Sequence, residues 1–176
     1  FRTVLFTTCG VAVLALLPVV ARDLLGAGAL TFGALLGSFG LGAVLGAAGN
    51  APIRMMMGNE AIVRACCLVF LASAVVLGLS TDILLSCLAL VPAGACWVIA
   101  LSLFNISVQP SAPRWVVGRA IALYQMCNFG GLVIGSWLWG ALADIHGVST
   151  ALVASGAAFL LCFAAGLRFA LPSIAS

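Results

Sequence analysis

The sequence contains very little charge. Only 6% of its 176 residues are Asp, Glu, Lys or Arg, whereas 65% are hydrophobic. A soluble domain carries about a quarter charged residues, because its surface must be wetted. Seven basic and four acidic residues cannot cover such a surface, so most of the exterior must face lipid. The net charge of +3 is too small and too scattered for a nucleic-acid-binding patch, which excludes that class of partner.

The groups on which most membrane enzymes depend are also missing. His146 is the only histidine, and it follows Asp144 in a short polar turn. The chain therefore has neither an H-E-x-x-H motif nor an embedded histidine base. We expect no enzyme activity, no metal site and no cofactor. The apolar runs contain no charged residue near their middles, so a proton relay within this chain is not expected either.

Cysteine is present but in the wrong places for a disulfide framework. All seven lie inside or at the edge of apolar runs, and no C-x-x-C motif occurs. Free cysteine packs as a small hydrophobe, which is the favoured interpretation here, with a redox or metal-binding role as the alternative. The seven are Cys9, Cys66, Cys67, Cys87, Cys96, Cys127 and Cys162.

Long apolar runs dominate the rest of the chain. A helix needs about 20 apolar residues to cross a bilayer. The runs predict an all-α integral membrane protein with a single domain over residues 1–176. Pro18 and Pro92 fall inside predicted helices, as membrane helices tolerate, whereas Asn50 and Pro52 are expected to end the second. The predicted helices are 3–21, 31–49, 63–80, 83–106, 120–143 and 149–168.

The arginines are distributed unevenly between the two sets of connecting segments. Arg22 alone belongs to one set, beside acidic residues, and the other six belong to the opposite set. Basic residues close to helix ends mark the cytoplasmic side, so both termini are predicted to be cytoplasmic. The six are Arg2, Arg54, Arg64, Arg114, Arg119 and Arg168.

Two middle helices share a short pattern. Phe39-Gly40 in the second predicted helix resembles Phe129-Gly130 in the fifth. Each belongs to the middle of a three-helix set, and consecutive sets of three must insert in opposite directions. This arrangement predicts a 3+3 inverted repeat, although chance similarity in a glycine-rich sequence is the alternative.

Three G-x-x-x-G pairs place small residues on helix faces. In lipid, close approach of backbones supplies much of the packing energy between helices. We expect these glycines either to pack statically or to provide smooth surfaces that slide during a transport cycle. They are Gly33, Gly37, Gly42, Gly46, Gly131 and Gly135.

Uncharged polar side chains form stripes on particular helices. The fourth carries polar residues at helical spacing towards its cytoplasmic end, the fifth has a similar cluster, and the first offers Thr3 and Thr7 on one face. Amides must be partnered or wetted within a membrane. They either hold the bundle together or line a substrate path, and the apolar third and sixth helices favour the path. Its candidate residues are Thr7, Ser102, Asn105, Tyr124, Gln125 and Asn128.

Several segments of the chain follow a pattern known from one transporter family. They are LPVVARDLL at 17–25, GALLGSFGLGAVLG at 33–46, WVIALSLFN at 97–105, QPSAPRWV at 109–116, GRA at 118–120, ALYQM at 122–126, FGG at 129–131 and GSWLWG at 135–140. Through them the chain, from about Leu14 to Pro172, resembles the C-terminal half of a major facilitator superfamily transporter, helices seven to twelve. The branch is that of the transmembrane secretion effectors, which includes enterobactin-exporter-like proteins.

This resemblance implies a secondary active transporter that exports a small organic molecule by alternating access. It implies that the first, second, fourth and fifth helices line the path. It also places cytoplasmic gating loops around the 50–64 segment, which lacks the family's usual Asp-Arg-x-Gly-Arg run, and around 109–119. The candidate gating residues are Arg54, Arg64, Gln109, Arg114 and Arg119.

A six-helix half needs a mate. We expect the partners to be the lipid bilayer, a small-molecule solute and an N-terminal six-helix half. That half belongs to the same chain if this sequence is a fragment, which is the favoured interpretation since Phe1 is not a natural start. Otherwise it is a separate chain, or the protein is a homodimer. The expected location is the inner (plasma) membrane of a bacterium, and the alternative function is a non-transporting scaffold or degenerate half.

Overall fold

The computed structural model describes residues 2–26, 28–108, 113 and 115–168, with side chains as far as residue 164. Helices account for most of these residues, and no β-strand occurs among them. The α-helices are α1 Arg2–Val19, α2 Ala29–Met56, α3 Asn59–Leu79, α4 Ile83–Val108, α5 Val117–His146 and α6 Val148–Arg168.

Helix length supports a multi-pass membrane protein. Five of the helices are long and apolar enough to span a bilayer, namely α1 with its extension, α2, α3, α4 and α5. The described part of α6, Val148–Ala164, is apolar but shorter than the length needed for that assignment. Six predicted helices therefore exist, and five of them qualify as spans within the described residues.

The second helix is longer than its sequence predicts. It continues through Asn50 and Pro52 to Met56, and α3 begins at Asn59 after a two-residue break. The expected break at Asn50 and Pro52 is wrong, because proline within a membrane helix removes only its own N–H while the flanking backbone bonds persist. The predicted loop at 54–64 is consequently mostly helical.

The end of α1 and the start of α6 show two local departures from regular helix. After Pro18, residues Val20–Leu24 form a π-helical turn, with Leu25 N donating to Val20 O at 3.1 Å. Gly147 alone separates α5 from α6, with φ of +86°. This conformation suits glycine because it lacks a Cβ atom.

The helices pack mainly in three pairs. The most extensive contacts are those of α2 with α4, α3 with α6, and α1 with α5. In contrast, α1 barely touches α2, and α4 barely touches α5. Each of these loosely packed pairs borders an open cleft, one between α4 and α5 and one between the end of α1 and the start of α2.

Four of the six predicted packing glycines lie where helices nearly touch. A Cβ atom on Gly42 would fall on the carbonyl of Val91, and one on Gly131 would fall on Thr7 and close to Val4. Gly46 and Gly135 meet neighbouring backbone in the same way, on α4 and α1 respectively. These four glycines are therefore required for the α2–α4 and α1–α5 contacts.

The remaining pair, Gly33 and Gly37, does not pack within the described chain. A Cβ atom on either would meet no atom within 4 Å. At about 100° per residue, Gly33 lies on roughly the opposite face of α2 from Gly42. Gly33 and Gly37 therefore make no close helix contact within the described chain, since Gly42 and Gly46 already occupy the inward face.

An aromatic cluster fills the centre of the bundle. Phe6 lies in the middle of it, with ring centroids 5.5–6.0 Å from those of four other rings. Phe70 and Phe159 stack at 5.1 Å. These edge-to-face and stacked contacts join α1, α3, α4 and α6 into one core. The four rings around Phe6 are Phe70, Trp97, Phe104 and Phe159.

Candidate solute pocket between α4 and α5

The cleft between α4 and α5 contains a pocket of about 430 Å³ that opens to the outside of the bundle. Its size lies within the range of small-molecule sites. The apolar part of its wall comes from Trp97, Val98, Leu101 and Ile106. The polar part comes from five of the six predicted path residues, Ser102, Asn105, Tyr124, Gln125 and Asn128.

Two hydrogen bonds hold the polar wall in place. The Tyr124 hydroxyl reaches across from α5 and donates to the Leu101 carbonyl on α4 at 3.1 Å. On the other side of α4, the Asn50 amide donates to Ser102 Oγ at 2.8 Å. These bonds join α4 to α2 and to α5, with the Tyr124 hydroxyl as the donor in one and Ser102 Oγ as the acceptor in the other.

Asn128 is different from its polar neighbours. It is 8% exposed, and its Oδ1 has no hydrogen-bond partner among the described residues. A buried acceptor without a partner costs about 1–3 kcal/mol. The Oδ1 atom is itself buried, so this acceptor does not face the open pocket although the residue borders it.

Trp97 forms the aromatic part of the wall. Its ring is held by Phe6 at 6.0 Å and Phe70 at 5.9 Å, measured between centroids. Its edge also lies against α1 at Gly10, where a Cβ atom would sit 2.7 Å from the indole. The pocket therefore has a rigid aromatic surface anchored in the core.

The sixth predicted path residue, Thr7, lies elsewhere. It is fully buried in the contact between α1 and α5, and its hydroxyl donates to the Thr3 carbonyl at 2.9 Å. Helical spacing placed Thr7 on a polar face, but that face meets Gly131 at close range and leaves no cavity. The structure thus separates Thr7 from the other five residues.

Comparison with known families decides what kind of protein carries this pocket. The family model described as transmembrane secretion effector matches residues 1–176. The chain belongs to the transmembrane secretion effector family. It is accordingly a major facilitator-type membrane transporter, from a family of transporters rather than enzymes. A search of the curated proteins finds no match.

The predicted gating residues of this secretion effector occupy several settings. Arg54 lies in the last turn of α2, half-buried, and its Nε has no hydrogen-bond partner among the described residues. Arg119 is exposed in the first turn of α5. Gln109 and Arg114 lie outside the described residues, so their predicted role is neither supported nor opposed.

Arg64 belongs to an ion cluster at one end of the secretion effector's bundle. Glu60 accepts from Arg2 at 2.7 and 3.0 Å and from Arg64 at 3.2 Å. The Arg2 and Glu60 side chains are only 10% and 19% exposed. The cluster joins the starts of α1 and α3 and draws Arg64 into a packed network rather than a free loop.

Sequence reasoning assigned no role in the path to two residues that shape the pocket. Trp97 shares a helix face with Leu101 and Asn105, at spacings of four and eight residues, and this spacing could have identified it. Asn50 supports Ser102 from α2, but its contribution depends on helix packing that no periodicity in its own helix reveals.

The cysteines of this secretion effector are free thiols. Cys9, Cys66, Cys67 and Cys162 are buried, and the other three are half-buried. The described residues include no group of three or more His, Cys, Asp or Glu side chains arranged to hold a metal ion. His146 is exposed at the end of α5.

Proposed function

We propose that this chain is the C-terminal half of a secondary active transporter that exports a small organic molecule by alternating access. The α4–α5 pocket is its contribution to the solute path. The observation that carries this proposal is the convergence of five uncharged polar side chains on one open pocket of about 430 Å³. Polar groups that only held helices together would be spread over the helix contacts instead.

An inverted repeat of three plus three helices is part of the proposal, and the close glycine contacts support it. On α2, Gly42 meets Val91 of α4 and Gly46 meets Ala95. On α5, Gly131 meets Val4 of α1 and Gly135 meets Thr8. The two α2 glycines precede the two α5 glycines by the same number of residues. The α1 residues that the α5 glycines contact likewise precede the α4 residues that the α2 glycines contact by one constant number.

Burial repeats with the same offset. Four of the buried positions of α2 are Leu35, Phe39, Gly42 and Gly46. The equivalent places on α5, Tyr124, Asn128, Gly131 and Gly135, are buried too. Thr31 of α2 and Trp139 of α5 are buried without a buried equivalent. The Phe-Gly pairs of the sequence are one residue out of this register, since Phe39 is buried while Phe129 is 61% exposed. The repeat therefore rests on packing geometry rather than on those pairs.

The proposal places both termini in the cytoplasm of a bacterium and the bundle in its inner membrane. The arginine distribution supports this orientation, as does the Arg2–Glu60 pair, which brings the starts of α1 and α3 to the same end. The missing partner is a second six-helix half. The low burial of α2 and α5 supports it, because these helices leave large apolar side chains such as Val44 and Trp137 uncovered.

Transport by the complete reading frame tests this function. We would express it in bacteria that lack their major efflux pumps and measure the accumulation of a panel of neutral and cationic fluorescent dyes. At least one dye should accumulate several-fold less with the protein than without it. Asn105→Ala with Asn128→Ala should abolish this difference, whereas Leu161→Ala, on an exposed part of α6, should not.

Two results would contradict the proposal. A panel that never responds to a stably inserted protein would favour a non-transporting membrane scaffold. Export that persists in the double variant would show that a solute path exists but does not use this pocket.

A further inference from the structure

Two pairs of thiols lie at the contacts of α3 with its neighbours. The Cys66 thiol is in hydrogen-bonding contact with Cys96 of α4, which we call the α3–α4 pair. The Cys67 thiol is in the same kind of contact with Cys162 of α6, the α3–α6 pair. Adjacent residues of a helix point about 100° apart, so α3 presents one thiol to each of two helices.

The register of the helices independently places Cys66 opposite Cys96. Ser73 of α3 donates to the Ala89 carbonyl of α4 at 2.8 Å. The two cysteines lie seven residues from this bond in opposite directions along the chain. Seven residues are about two turns, so two antiparallel helices in contact at the bond meet again at the α3–α4 pair.

The same reasoning places Cys67 opposite Cys162. Helix α6 runs antiparallel to α3, and its Gly156 packs against Ala74. Cys67 lies seven residues before Ala74, and Cys162 lies six residues after Gly156. Both steps are about two turns, so the α3–α6 pair continues a contact that the glycine already makes.

The two pairs differ in the charges around them. The Arg2 guanidinium acts electrostatically on both thiols of the α3–α6 pair, and Glu60, which is paired with Arg2, acts on Cys162. Within the described part of the chain, only other thiols act on the α3–α4 pair. The thiolate is the form that attacks an oxidant, and reactive cysteines are found beside cationic side chains.

We propose that the α3–α6 pair is a redox-modification site, at which hydrogen peroxide converts Cys67 and Cys162 into a reversible disulfide. One thiol attacks the peroxide, the O–O bond breaks, and a sulfenic acid and water form. The other thiol attacks the sulfenic sulfur, the S–S bond forms, and a second water leaves. The two thiols lose two electrons and the peroxide gains them. A low-molecular-weight thiol reverses the reaction by exchange.

Disulfide mapping in the complete protein tests this site. Membranes would be treated with hydrogen peroxide, the remaining thiols blocked with N-ethylmaleimide in SDS, and cross-linked peptides identified by mass spectrometry. Cys66→Ala retains only the α3–α6 pair, and Cys67→Ala retains only the α3–α4 pair. The first variant should form its disulfide about tenfold faster than the second, because only its pair has a cationic neighbour. Dithiothreitol should reverse it.

Exposure alone would give the opposite order. Cys96 is half-buried, whereas Cys67 and Cys162 are buried, so the α3–α4 pair is the easier one for an oxidant to reach. Arg2→Gln should therefore slow the α3–α6 disulfide several-fold, and Arg2→Lys should preserve its rate. Neither change should alter the α3–α4 pair, whereas a purely structural role for Arg2 would affect both pairs together.

Three results would overturn the proposal. The first is equal rates for the two pairs. The second is an α3–α6 pair that stays reduced in membranes but oxidises in SDS-unfolded protein. The third is a disulfide from Cys67 or Cys162 to Cys9 of α1, which is also close to them. Should either alanine variant fail to insert, the wild-type protein serves, because peptides with Cys96 and Cys162 differ in mass.

Discussion

The α4–α5 cleft and the α1–α2 cleft occupy equivalent places in the proposed repeat, yet they differ in chemistry. Both separate helices that barely touch, and both are bordered by close glycine contacts. The first presents Ser102, Asn105, Tyr124, Gln125 and Asn128. At the corresponding positions of α1 and α2 the sequence has Ala15, Pro18, Leu35, Leu36 and Phe39, of which Pro18 lines the pocket between those two helices.

This difference distinguishes side chains that hold the helices together from side chains that have another function. If polar side chains were needed to hold this helix arrangement together, both clefts would contain them. Leu35 and Phe39 show that the positions equivalent to Tyr124 and Asn128 can be buried with hydrophobic side chains, although Thr31 on the same face of α2 is polar. This difference supports the proposal that the polar groups between α4 and α5 serve water or a solute in the cleft.

The largest expected effect comes from placing a polar side chain on α2, at the position that corresponds to Asn128. Phe39→Asn should lower the free energy of unfolding by about 3–5 kcal/mol, because it removes a buried ring and leaves an amide without a partner. Unfolding by SDS in mixed micelles would measure it. The reverse change, Asn128→Leu, should stay within about 1 kcal/mol of the parent, since it removes an acceptor that is already unpartnered.

Equal losses in the two variants would contradict the comparison. They would mean that Asn128 contributes to packing as much as Phe39 does, and that the two clefts differ in sequence without differing in role.

The helix packing that the two proposed repeats have in common can be tested at its glycines. Gly42→Ala and Gly131→Ala should each destabilise the bundle by about 1–3 kcal/mol, because the added methyl group meets a neighbouring helix that cannot move away. Gly37→Ala, which has open space around it, should change stability little. The same unfolding assay applies, and a large loss for Gly42 alone would argue against equivalence of the two halves.

A smaller effect is expected for the hydrogen bond that joins α5 to α4 across the cleft between them. Tyr124→Phe removes the hydroxyl that donates to Leu101 and should cost about 0.5–1.5 kcal/mol. Leu35→Met, at the matching position of α2, is a volume-conserving control that should cost less. If Tyr124→Phe is silent in the unfolding assay, the hydroxyl is free to serve a solute instead.

Much of the fold follows from the sequence because lipid imposes simple rules. The length of the apolar runs predicts the helices, and amide spacing predicts the stripe that becomes the pocket. Helical spacing alone cannot tell which polar face meets a cavity and which meets another helix. Thr7 and Asn128 both lie on polar stripes, but only the packing of α5 against α1 buries the Thr7 hydroxyl.

Glycine motifs show the same limit. Gly33 and Gly42 begin identical motifs on one helix, and their opposite faces decide that only the second packs within the chain. The end of α2 escaped prediction for another reason. Asn50 and Pro52 are common helix breakers in water, but the helix continues through them here, and Asn50 bonds to Ser102 on the helix beside it.

Solute-protected cysteine accessibility tests the central claim most directly, that the α4–α5 cleft is a wetted solute surface and the α1–α2 cleft is not. Gln125→Cys and Leu36→Cys, both exposed at equivalent positions, would be made in the complete protein without its native cysteines. A water-soluble methanethiosulfonate reagent would be applied to open membrane sheets. We predict that the cysteine at 125 reacts at least tenfold faster than that at 36 and is protected by a dye that the protein exports. Equal reaction rates, with no protection at either position, would contradict the account.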